Sequence, residues 1–274
     1  MIRHLDLGPR EGRPIVLLHG FTGSAAAWRS LVVAALTRRR RLLLVDLPGH
    51  GKSGLRPGSP GGWSMERTAD ELTRLLDRLN IERADWIGYS MGGRVVLAVA
   101  VLQPARIRRL VLESASPGLR TTRERLIRLK KDHDLAREIR ARGMEWFVSF
   151  WLDQPLFATQ KALPVAVQEE SRRQRLLNSP AALDKALRTL GAGAQPSFWD
   201  DLAGVTAPTL LLTGDQDEKF ESIAREMRRA LPNARHRSVR GAGHAVHLEA
   251  PREWIGAVVP FLEAPDPASP SEQR

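Results

Sequence analysis

Apolar residues in this chain fall mostly in short unbroken runs rather than in strict alternation with polar ones. Residues 15–18, ending at His19-Gly20, read as a buried strand, and residues 41–46 as a second. Residues 25–36 between them have helical character. Ser64 is placed to cap a helix over 65–79, where Leu72, Leu75, Leu76 and Leu79 recur at i, i+3, i+4 and i+7. Trp86-Ile87-Gly88 ends another strand, 92–102 is a helix stopped by Pro104, and 107–112 is again a strand. Apolar strands alternating with helices predict an α/β fold, a mostly parallel sheet with helices on both faces.

From about Pro117 to Asp200 the alternation stops. Arg-rich helical segments take over, with Pro155, Pro164, Pro180 and Pro196 between them. A strand returns at 208–213, then a helix at 218–230, a small-residue loop at 241–248 and a last helix at 252–262. The expected organisation is a core in two parts, 1–116 and 201–263, with a helical lid at 117–200 between them. Residues 264–274, rich in Pro and Ser, read as a disordered tail.

Composition narrows the chemistry. The 274 residues contain no cysteine, which removes disulfides, thiolate metal sites and a cysteine nucleophile. The opening residues contain no signal-like apolar run, and no stretch reaches 18 apolar residues, so a soluble, cytoplasmic protein with no membrane partner is expected. Forty-two Lys and Arg against 31 Asp and Glu give a net charge of +11. Such a charge admits nucleic acid, a membrane surface or an acidic small molecule. Only six of the basic residues are Lys, and the arginines are spread along the chain, as a compositional bias alone would spread them. The one dense run, Arg38–Arg41, reads as a solvated helix end leading into a strand, and no nucleic-acid-binding motif accompanies it. Segment 118–200 holds 15 basic and 10 acidic residues, the denser share of the excess.

Gly88-Tyr89-Ser90-Met91-Gly92 matches G-x-S-x-G between an expected strand and helix. Small residues there permit a sharp turn that lifts the serine hydroxyl above a sheet, with the Met91 N–H aimed at developing negative charge. A serine needs a histidine, and the histidine an acid, in the order Ser, Asp, His. Gly214-Asp215-Gln216-Asp217 offers two acids; Asp217 is preferred, with Asp215 as a turn residue. His244 in Gly241-Ala242-Gly243-His244 is the preferred histidine over His247, whose H-x-x-H spacing with His244 would otherwise hint at a metal. No metal and no cofactor are expected. Phe21, after His19-Gly20, supplies the second oxyanion N–H, with His19 as a structural residue behind it. Asp46–Ser53 ends in Gly-Lys-Ser but lacks the Walker glycine, and reads as a loop at the pocket rim. Arg94, four residues after Ser90 on an apolar helix, either pairs with an internal acid such as Glu113 or holds a substrate carboxylate. Tyr89 lies where it could line the same pocket.

On these motifs the chain resembles the α/β-hydrolase superfamily. More narrowly it resembles the 2-succinyl-6-hydroxy-2,4-cyclohexadiene-1-carboxylate synthase family of menaquinone biosynthesis, through 88–94, Glu113-Ser-Ala-Ser-Pro-Gly-Leu119, 190–199 and Gly214-Asp-Gln-Asp-Glu-Lys-Phe220. The resemblance implies a lyase: Ser90, made basic by His244 and Asp217, removes a proton and pyruvate leaves. It assigns Phe21 and Met91 to the oxyanion hole, Arg94 and Arg175 to substrate carboxylates, and Trp151 and Phe157 to the pocket. A third anchor falls on Arg128 or Lys130, because Lys130 stands where the family has an arginine. The expected partner is an anionic small molecule, not nucleic acid, and nothing indicates an oligomeric state. The competing readings are a serine carboxylesterase acting on a carboxylate-bearing ester and a non-catalytic receptor.

Overall fold

In the computed structural model, which describes residues 2–28, 30–55 and 62–265, seven strands form one sheet. They are β1 (Arg3–Leu7), β2 (Arg13–Leu18), β3 (Arg40–Asp46), β4 (Ala84–Tyr89), β5 (Ile107–Glu113), β6 (Thr209–Gly214) and β7 (Ala234–Val239), in the order β1-β3-β2-β4-β5-β6-β7. Only β1 runs antiparallel to its neighbour. The helices are α1 (Ser30–Thr37), α2 (Met65–Arg78), α3 (Met91–Leu102), α4 (Thr122–Leu152), α5 (Val165–Leu176), α6 (Pro180–Leu190), α7 (Glu218–Ala230), α8 (Val246–Glu249) and α9 (Pro251–Glu263).

The unbroken apolar runs follow from burial on both faces. Val16, Leu18, Leu43, Val45, Leu110 and Leu112 pack in one cluster with α2, α3 and α7. Their neighbours Ile15, Leu17, Leu42, Leu44 and Val111 point the other way, into a cluster with α1 and α9. Each strand residue of this kind is removed from water, worth about 1.5–3 kcal/mol per side chain. The expected α/β-hydrolase architecture, a mostly parallel sheet between helices, is therefore present.

Two expectations need correction. Arg38 and Arg39 are exposed, but Arg40 and Arg41 belong to β3 and are buried. Each meets a carboxylate, Arg40 on Asp85 at 3.2 Å and Arg41 on Asp6 at 2.7 Å, which is what makes a buried guanidinium tolerable. The expected disordered tail also begins too early: Ala264 and Pro265 are placed, their carbonyls accepting from Arg109 Nη2 at 2.6 and 3.0 Å. The rest of that tail, 266–274, lies outside the described residues.

Between β5 and β6 no strand intervenes among the described residues. Here α4 starts at a capping box, Thr121 with Glu124, and is interrupted at Gly143, whose φ of 78° is outside helical geometry. Its apolar residues Ala136, Ile139, Phe147 and Val148 pack against Leu183 and Leu187 of α6, a small core apart from the sheet. No described helix is long and apolar enough to cross a membrane.

Candidate active site

The turn from β4 to α3 places Ser90 at φ 51°, ψ −110°, a left-handed conformation that costs a non-glycine residue on the order of 1–3 kcal/mol. Its neighbours make that turn possible. A Cβ on Gly92 would come within 2.2 Å of the Leu18 carbonyl oxygen, and one on Gly88 within 2.5 Å of Gly93 Cα. The Ser90 N–H donates to the Glu113 carbonyl at 2.8 Å, tying the turn to β5.

Three side chains from three separate loops then meet. Ser90 Oγ donates to His244 Nε2 at 2.9 Å, and His244 Nδ1 donates to Asp217 Oδ2 at 2.6 Å. Asp217 also caps α7, its Oδ1 accepting from the Phe220 N–H at 3.3 Å. Asp215 accepts instead from the Gly241 N–H at 2.8 Å, as a turn residue. His247 is turned away from this set: its Nδ1 donates to Glu113 Oε1 at 2.8 Å, and Trp254 Nε1 donates to the other oxygen of that carboxylate at 2.9 Å. The N–H groups of Phe21 and Met91 form no hydrogen bond among the described residues. His19 lies behind Phe21, donating from Nδ1 to the Gly20 carbonyl at 2.8 Å and accepting from the Leu47 N–H at 3.0 Å. Burial pushes its imidazole down to about 4, so it is neutral at pH 7.

Ser90, Met91, Phe21, Trp151 and His244 line a cavity of about 510 Å³, together with Arg94 and Arg128. Arg94 Nη1 donates to the Gln195 side-chain oxygen at 2.8 Å, and among the described residues it forms no salt bridge. Glu113, the acid suggested for it, is taken by His247 and Trp254. Desolvation, helped by Arg128, lowers Arg94 to about 10, so the guanidinium stays charged at pH 7. Arg128 differs in being paired, its Nε donating to Asp132 at 2.7 Å. Lys130 is exposed and does not line the cavity, because it sits on another side of α4.

Tyr89 and Arg175 are brought together in a second cavity of about 410 Å³, which shares Phe21 with the first. Arg175 therefore does not line the Ser90 cavity itself. Its Nη1 donates to the Ser171 carbonyl at 3.0 Å, and its buried Nε has no partner among the described residues. Burial holds the Tyr89 phenol protonated, well above its ordinary range. The Tyr89 ring lies 5.4 Å from His244 and 4.7 Å from His247, so it forms the wall between them. Phe157 is buried with its ring 6.1 Å from His244 and 5.7 Å from Trp151; it backs the site and lines a third cavity on its far side.

Several residues here escape pattern reading. Phe220, 4.6 Å from the His244 ring, and Lys219 line the Ser90 cavity, and both lie in the 214–220 motif. Gln195 lies in the 190–199 motif, but its contact with Arg94 spans 101 residues. Glu249 accepts from the Gly243 N–H at 2.6 Å and the Ala245 N–H at 3.0 Å, bracketing His244.

The sequence profile described as alpha/beta hydrolase fold matches residues 13–251. A Bacillus subtilis (strain 168) protein, named provisionally as 2-succinyl-6-hydroxy-2,4-cyclohexadiene-1-carboxylate synthase, is 38% identical over 94% of this chain and 93% of its own. The protein of that name from Escherichia coli O1:K1 / APEC is 30% identical over 96% of this chain and 99% of its own. A solved structure of MenH from S. aureus superposes with a TM-score of 0.90 at 33% identity, covering 100% of both chains. The chain thus belongs to the α/β-hydrolase family, within the group that resembles 2-succinyl-6-hydroxy-2,4-cyclohexadiene-1-carboxylate synthase.

Proposed function

We propose that this protein is a carbon–oxygen lyase that eliminates pyruvate from 2-succinyl-5-enolpyruvyl-6-hydroxy-3-cyclohexene-1-carboxylate, a step of menaquinone biosynthesis. Substrate and product names fix the bond changes. The ring C2–H bond breaks and its electron pair forms C2=C3. The C3=C4 pair moves to C4=C5, and the C5–O bond breaks. The enolpyruvate released takes up a proton at its methylene carbon and becomes pyruvate, so no water is consumed.

His244 Nε2, 2.9 Å from Ser90 Oγ, takes the serine proton as the oxygen removes the carbon-bound one. Asp217 orients the ring and stabilises the imidazolium that forms. The Phe21 and Met91 N–H groups receive the enolate oxygen that develops on the succinyl ketone. The imidazolium then gives its proton to the departing enolpyruvate, which becomes pyruvate, while Ser90 keeps the proton taken from the ring, and the site is restored. Helices of 117–200 act as the lid, contributing Arg128 and Trp151 over Ser90. Trp151 Nε1, buried without a partner among the described residues, is a further donor there.

The observation that carries this reading is Arg94: a charged guanidinium one helical turn from Ser90, held by a neutral amide. A cation left so in a partly dry site calls for an anionic ligand, and the substrate has three carboxylates. Arg175, in the adjoining cavity, offers a second carboxylate position beyond Phe21. An ordinary esterase would use the same Ser90–His244–Asp217 set but has no use for these arginines. Incubation of the purified protein with the enolpyruvyl substrate should release one pyruvate per substrate consumed. Cleavage of simple neutral esters with the enolpyruvyl compound left intact would make the protein an esterase instead.

A further inference from the structure

The two arginines of the Ser90 cavity are set by one short loop, yet they are treated differently. The Gly193 N–H donates to Asp132 Oδ2 at 3.0 Å, and the other oxygen of that carboxylate accepts from Arg128. Arg128 is therefore largely neutralised by a buried acid. Two residues on, Gln195 accepts from Arg94 Nη1 through its side-chain oxygen, while its Nε2 reaches the Ser116 carbonyl at 3.5 Å. Gln195 is itself buried, so it has little freedom to turn elsewhere. An amide can aim a guanidinium without cancelling its charge; a carboxylate in the same place would aim it and cancel it.

We propose that Gln195 is a specificity-determining residue that positions Arg94 toward Ser90 while keeping its charge free for a substrate carboxylate. This rests on the Ser90 cavity being an anion site. The cavity then has one strong anion position, at Arg94, and a weaker one at Arg128, whose charge is shared with Asp132. An anion at Arg94 removes the cost of a partly desolvated cation, a gain a neutral ligand cannot supply.

The test uses matched neutral and charged side chains at this position. Succinate binding to the full-length protein is measured by calorimetry for the wild type, Q195E, Q195A, Q195N and Q195D, beside KM and kcat for pyruvate release. Q195E, equal in shape to the wild type, is expected to weaken succinate binding at least about 10-fold and to raise KM comparably, more than Q195A does. Q195D should be worse than Q195N by a similar factor, so a variant that fails to fold leaves the other pair to decide. A purely packing role predicts the opposite order, with Q195E harmless and Q195A the most damaged. That order, equal binding by all five proteins, or no succinate binding by the wild type overturns the inference. If the wild type binds succinate but releases no pyruvate, the reaction assignment fails while the titration still decides the role of Gln195.

Discussion

At the scale of single residues, charge near Ser90 is what distinguishes the proposed lyase from an esterase on the same fold. Arg94 is the sharpest case, because its hydrogen-bond partner Gln195 carries no charge. Arg94→Ala should raise KM for the tricarboxylate substrate about 10- to 100-fold, the loss of one charge-assisted contact, while kcat falls less. An unchanged kcat/KM would return Arg94 to a packing role. Ser90, Asp217 and His244 were readable from the sequence because a G-x-S-x-G turn and a fixed order of acid and histidine constrain them locally. The contacts of Arg94 were not. Its partner lies 101 residues away, and Glu113, the acid the sequence suggested for it, is claimed by His247 and Trp254 on the other side of the sheet.

At the scale of elements, the loop carrying His244 is held by the short helix that follows it. Glu249 of α8 accepts from the N–H groups on either side of His244, and Gln160 donates to the same carboxylate at 3.5 Å. The brace therefore joins the histidine loop to the helical segment above it. Glu249→Ala removes two charge-assisted bonds of about 1.5–3 kcal/mol each, part of which water replaces. A fall in melting temperature of about 5–10 °C and a kcat reduced about 10-fold are expected. A variant with native kcat would show that the loop holds itself. Elements were legible where burial is two-sided, as in β2 and β3, and least legible at the sheet edges. β1 (Arg-His-Leu-Asp-Leu) and β7 (Ala-Arg-His-Arg-Ser-Val) expose much of their length, so they carry no apolar run. The break at Gly143 in α4 was hidden for a different reason: an isolated glycine in a helical pattern marks neither a kink nor its absence.

At the scale of the whole molecule, two buried imidazoles link stability to pH. Burial pushes His19 down to about 4 and His50 to about 3, the latter helped by His19, against 6.5 in the unfolded chain. As pH falls below 6.5 the unfolded chain binds protons that the folded one refuses, so stability present above 6.5 is lost as pH drops toward 4. Between pH 6.5 and 5 the loss is about 2 kcal/mol per ring. Urea unfolding should show a clearly lower midpoint at pH 5 than at pH 7.5; equal midpoints would mean that both rings charge freely in the fold. The net charge of +11 also divides at this scale. Arg40, Arg41 and Arg108 serve the fold through ion pairs, whereas Arg94 faces the Ser90 cavity with none among the described residues. The measurement that bears most directly on the proposed reaction is pyruvate release from the enolpyruvyl substrate by the wild type and by Ser90→Ala. Stoichiometric release by the wild type and a loss of at least about 10³-fold in the variant are expected. Intact substrate with the wild type, or undiminished release by the variant, would contradict the account.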